Sequence, residues 1–88
     1  MRATGKQLKV MLEFLNELYP KPTIITMIAK TFPSIAEVLP RLLAYAHDQD
    51  WIVITDTKQE IEIGPYRLTA QGIDKLNAWT GDDDVTEI

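Results

Sequence analysis

Cysteine is absent from all 88 residues. That excludes disulfides, thiolate nucleophiles and cysteine-held metal sites, and it agrees with a reducing compartment. Histidine occurs once, at His47 beside Asp48 and Asp50. At an expected helix end, attraction to the C-terminal dipole accounts for it, and no Ser/His/Asp set or HExxH pattern accompanies it. The four glycines form no phosphate-cradling loop. Glu13 and Glu17 share a helix face as ordinary solvated charges. The expectation is a protein that is not an enzyme, with no cofactor, no metal and no small-molecule ligand. Apolar runs of about eighteen residues are also missing, so no membrane-spanning segment is expected. Arg2, Lys6 and Lys9 are not followed by an uninterrupted apolar stretch and cleavage site. The chain therefore reads as cytoplasmic, without a signal peptide.

What is present is enough for one small domain. At 88 residues, folding removes only about 60–65% of the chain's surface from water, so each large side chain matters. The net charge of −4 is unevenly distributed. Four of the thirteen acidic residues (Asp82, Asp83, Asp84 and Glu87) fall in GDDDVTEI, leaving nine acidic against nine basic residues before them. Residues 1–81 are expected to form the domain. Residues 82–88 are expected to form a flexible acidic tail, too poor in apolar groups to offset the entropy of ordering. The other reading of that tail is an acidic strip that competes with nucleic acid for a basic face or docks a partner.

Thr4-Gly5-Lys6-Gln7 has the form of a capping box. Behind it Leu8, Met11, Leu12, Leu15, Leu18 and Tyr19 recur at helical spacing, with Phe14 beside them, until Pro20 and Pro22 stop the helix. A short second helix follows, with Thr23 as its cap and Ile24, Met27, Ile28 and Phe32 as its buried side. Phe32-Pro33 ends it. Ser34-Ile35-Ala36-Glu37 repeats the capping-box form and opens a third helix over residues 34–47. Its inward face is Leu39, Leu42, Leu43 and Ala46. Pro40 sits awkwardly there: either the helix is kinked, the reading preferred, or residues 34–38 form a separate turn and the regular helix begins near Leu39. Trp51-Ile52-Val53-Ile54-Thr55 is a strand by composition, and Asp56-Thr57-Lys58-Gln59 suits a turn. A returning strand covers about 60–68, interrupted at Gly64-Pro65 by a bulge or bend. Thr69 caps a last helix in which Ile73, Leu76 and Trp79 share a face. The fold class is mainly α with a small β-hairpin (α+β), in the order α-α-α-β-β-α, with no repeat and no internal boundary.

Two stretches, residues 41–54 (RLLAYAHDQDWIVI) and Leu68-Thr69-Ala70-Gln71-Gly72-Ile73-Asp74-Lys75-Leu76, carry a resemblance. The chain resembles the winged helix-turn-helix superfamily of small bacterial transcription regulators, with the second stretch similar to the Leu-Thr-x-x-Gly-x-x-x-Leu segment of MarR-like and PadR-like members. The resemblance implies a recognition helix followed by a turn and a wing strand. It also implies a threonine that caps the helix after the wing and a glycine that permits close packing. The sequence departs from the family in having Asp50 where a glycine usually lies between recognition helix and wing, and Ala46 where a longer core residue is usual. Its last helix is shorter than the dimerising arms of larger regulators.

The resemblance implies double-stranded DNA as partner, with helix 34–47 in the major groove and the 51–68 hairpin as wing, acting in transcription regulation. Glu37, Val38, Arg41, Ala44 and Tyr45 lie opposite the leucine face. Arg41 is the one good reader of guanine edges or phosphate. Glu37 offers an acceptor to cytosine but repels the backbone, and Tyr45 is as suited to packing on the hairpin as to touching a sugar. Lys58 at the wing tip and Lys21, Lys30 and Ser34 around the second helix complete a thin footprint. The candidate DNA-binding set is Lys30, Ser34, Glu37, Arg41, Tyr45 and Lys58. Such a set binds weakly without a dimer or second protein, because non-specific affinity follows the number of phosphates neutralised. The competing class is a winged helix adapted to protein interaction or assembly, a homodimer included. It rests on an apolar helix-three surface of Val38, Pro40, Ala44 and Tyr45 and on the acidic tail. On either reading, the same charges serve equally as ordinary solvated surface.

Overall fold

A computed structural model describes residues 2–55, 64–79 and 88. Its elements are α1 (Gly5–Leu18), α2 (Ile25–Thr31), a 3-10 helix (Pro33–Val38), α3 (Leu39–Asp48), β1 (Ile52–Ile54), β2 (Tyr66–Leu68) and α4 (Ala70–Ala78). The class is α+β, mainly helical, with one two-stranded antiparallel ribbon among the described residues. No helix of the described residues is long and apolar enough to cross a membrane.

The expected capping box opens α1. Gln7 donates its backbone N–H to Thr4 Oγ1 at 3.3 Å, and the Thr4 N–H donates to Gln7 Oε1 at 2.9 Å. Leu8, Met11, Leu12 and Leu15 then enter the core. Tyr19 does not: it is the exposed C-cap residue, and Arg67 lies over its ring at 5.8 Å. The inward stripe of α2 and its cap is the buried Ile28 with the half-buried Ile25, Ala29 and Phe32, spaced i, i+3, i+4 and i+7 from Ile25. Ile24 and Met27 fall off that stripe and stand 39% and 49% exposed, against the sequence expectation. Phe32 meets Phe14 of α1 edge to face, with centroids 5.3 Å apart.

Thr23 is not a helix cap. Ile24 occupies the cap position without a side-chain bond. Thr23 instead exchanges two backbone hydrogen bonds with Tyr66, at 2.9 and 2.7 Å, and is buried. β2 is thus bonded on both edges, to β1 in the register Ile52↔Leu68, Val53↔Arg67, Ile54↔Tyr66 and to the linker before α2 on the other side. This ties the linker between the first two helices into the ribbon.

The expected kinked helix over 34–47 is two elements. Residues 33–38 wind as a 3-10 helix, without a capping bond from Ser34, and α3 begins at Leu39. The proline decides this. At the second position of α3, Pro40 gives up an N–H that has no intrahelical partner anyway, so its cost vanishes when the helix starts one residue earlier. Leu39, Leu42, Leu43 and Ala46 are all buried as their spacing predicts. Each such leucine contributes about 1.5–3 kcal/mol relative to an exposed one.

α3 ends in a left-handed cap. The N–H of Asp50 bonds the carbonyl of His47 at 3.0 Å and that of Trp51 bonds Ala46 at 2.9 Å, while Asp50 takes φ 62°. This geometry favours glycine, the residue expected there from the resemblance; aspartate is among the few others that tolerate it. Thr69 is the expected cap of α4. Its hydroxyl accepts from the Gly72 N–H at 3.1 Å and donates to the Asp50 carbonyl, joining the start of α4 to the end of α3. Ile73, Leu76 and Trp79 pack, half-buried, against the core. Gly64, where a bend was expected, has φ +92°, and a Cβ there would meet the Tyr66 ring at 2.8 Å. The expected turn around residues 56–59 and the returning strand up to 63 lie outside the described residues.

Candidate nucleic-acid interface

The face of α3 opposite its leucines carries Pro40, Arg41, Ala44 and Asp48, all exposed, with Tyr45 half-buried. Val38, expected outward, is 5% exposed and belongs to the core. The reason is the 3-10 helix: its tighter turn advances side chains by about 120° per residue instead of 100°, which rotates Val38 inward beside Ile35. The apolar patch expected from Val38, Pro40, Ala44 and Tyr45 therefore loses a member. Tyr45 is partly withdrawn as well, packed edge to face on Trp51 with centroids 5.8 Å apart. It packs at the entrance to the ribbon, one of the two roles its position allowed.

Lys30, in the last turn of α2, and Ser34 and Glu37, in the 3-10 helix, are exposed as expected. Lys58 lies outside the described residues. Of the candidate set, Arg41 and Tyr45 share one depression, about 360 Å³ in volume, bordered also by Ala44, Asp48 and Ile88. The footprint is mixed in sign there, since Asp48 faces the same space as Arg41.

Arg41 is engaged within the chain. Its Nε donates to the backbone carbonyl of Ile88 at 2.6 Å. Ile88 in turn exchanges two backbone hydrogen bonds with Ala3: Ile88 N–H to the Ala3 carbonyl at 2.8 Å and Ala3 N–H to the Ile88 carbonyl at 3.2 Å. Its side chain is half-buried against the core. Of the tail expected to be flexible over 82–88, residues 82–87 lie outside the described residues, and Ile88 is described in these contacts.

Two other basic residues lie over rings, Arg67 over Tyr19 and Lys75 over two tryptophans. Lys75 Nζ stands 4.6 Å from the Trp79 ring centroid and 5.4 Å from that of Trp51. Tyr45, Trp51, Lys75, Trp79 and Ile88 border a cavity of about 50 Å³ with Gly5 and Leu8, too small for a bound metabolite. This aromatic group escaped sequence reading because Trp51 and Trp79 belong to separate elements. The available signal was the shared helical face of Lys75 and Trp79, at i and i+4. Comparison with family models, with curated proteins and with solved structures finds no match to this chain.

Proposed function

We propose that this chain is a small DNA-binding regulatory protein with a winged-helix domain. α3 enters the major groove of duplex DNA and the β1–β2 ribbon flanks it as the wing. The observation that carries the reading is the succession α2, 3-10 helix, α3 and antiparallel ribbon, with the ribbon bonded back to the linker before α2 at Thr23. That succession supports the reading, because winged-helix groove reading pairs a helix with a ribbon that follows it in the chain. Arg41 is the residue that touches base edge or phosphate; Lys30 and Ser34 contact the backbone. The protein acts in the cytoplasm, and occupancy of a site blocks or recruits another protein. The body carries balanced charge, so useful affinity comes from a homodimer or a second protein.

The test is a salt-dependent titration of duplex DNA with wild type and Arg41→Ala. Wild type binds at low salt, and the variant binds more weakly with a salt slope shallower by about one. Absence of duplex binding by both proteins at low salt and high protein concentration sinks the proposal.

A second reading, a winged-helix module for protein interaction or assembly, is favoured by Val10, Ile24 and Met27, which are large, apolar and exposed. Sedimentation that shows self-association weakened by Met27→Glu, with no DNA binding, selects this reading.

A further inference from the structure

The residue best suited to meet DNA is held by another part of the same chain. Arg41 gives its Nε–H to the Ile88 carbonyl, and Ile88 is anchored twice to Ala3 through the backbone. Its side chain lies among the residues packed on the core, so the contact has an apolar as well as a polar component. Ile88 also borders both the depression on the α3 face and the small cavity behind it. It therefore stands where α3 meets the start of α1.

We propose that residue 88 is an internal competitor for the Arg41 face of α3. It takes the Nε–H of the guanidinium that a DNA phosphate or guanine edge would take, and full DNA binding requires its release. This inference rests on the DNA-binding reading. A phosphate takes a guanidinium through two parallel N–H donors, whereas the Ile88 main-chain oxygen takes the Nε–H alone, so phosphate competes for it once the two meet. The docked residue lowers apparent affinity in proportion to the fraction of molecules in which Arg41 is free.

The experiment compares DNA affinity at low salt for the wild type, Ile88→Gly, Arg41→Ala and the double variant, with Ile88→Val as the conservative control. The NMR signal of the Arg41 Nε–H reports docking independently. Ile88→Gly removes the anchoring side chain and leaves net charge unchanged. It is expected to bind about two- to tenfold more tightly, the worth of roughly one hydrogen bond. That gain vanishes in the Arg41→Ala background, and Ile88→Val stays close to wild type. Equal or weaker binding by Ile88→Gly, or a gain that survives without Arg41, overturns the competition while leaving DNA binding intact. If the Arg41 signal shifts on Ile88→Gly but no protein binds duplex DNA, the DNA-binding reading has failed, and the competition falls with it.

Discussion

Replacing Gly72 by alanine puts a methyl group 2.2 Å from the Trp51 carbonyl oxygen, 2.9 Å from Leu68 Cδ1 and 3.0 Å from Leu68 Cγ. The leucine is flexible at its end, but the carbonyl is not free to retreat. It accepts the Thr69 N–H at 2.9 Å, and the N–H of the same residue bonds Ala46 at 2.9 Å. Ordinary contact therefore returns only if the first turn of α4 moves away by about 1 Å. That movement strains the Thr69 cap, worth about 1 kcal/mol, and adds an overpacking cost of about 1–3 kcal/mol. Against it stands the gain of about 1 kcal/mol from alanine's better helix propensity. The net expectation is a loss of about 1–3 kcal/mol. For a domain of this size that lowers Tm by roughly 5–20 °C. Thermal melts followed by circular dichroism, with urea titration followed by tryptophan fluorescence, measure it. An alanine variant as stable as wild type, or more stable, refutes the claim that close approach of α4 to Trp51 demands glycine.

Two further substitutions probe the same corner. Asp50 has φ 62° just past the C-terminal end of α3, so it carries a negative charge near the negative pole of the helix. Asp50→Asn keeps the tolerance for that backbone and is expected to stabilise by about 0.3–1 kcal/mol in low salt, less in high salt. Asp50→Ala destabilises by about 1 kcal/mol; equal urea midpoints for asparagine and alanine contradict this account. Thr69→Ala removes a hydroxyl bonded to both Gly72 and the Asp50 carbonyl. It is expected to cost about 1–2 kcal/mol by urea titration, with Thr69→Ser restoring most of the loss. A Thr69→Ser variant as weak as alanine assigns the effect to the methyl group instead.

Much of the framework was legible because local patterns and tertiary demands agreed. The Thr4–Gln7 box, the Leu39, Leu42, Leu43, Ala46 stripe, the Thr69 cap and the strand at Ile52–Ile54 are each short-range signals with one physical reading. Where a pattern admitted two readings, the sequence alone chose poorly. Ser34 and Glu37 have capping-box spacing, yet they sit in a 3-10 helix, because Pro40 sets the start of α3 after them. Ile24 and Met27 are apolar at helical spacing, but the burying stripe of a seven-residue helix has room for Ile25, Ile28 and Ala29 before Phe32 instead. At the candidate interface, the exposure of Glu37 and Arg41 was readable from the leucine face; the inward turn of Val38 was not.

Sequence alone determined the α+β class, the element order, the leucine core of α3 and the caps of α1 and α4, since these depend on periodicity and on bonds spanning three or four residues. Tertiary structure decided that Thr23 pairs with Tyr66, that Gly72 lies against Trp51, and that Ile88 holds Arg41 while bonded to Ala3. Those contacts join residues 21 to 85 positions apart. No local preference encodes them; they exist only once the buried faces have brought the helices and ribbon together.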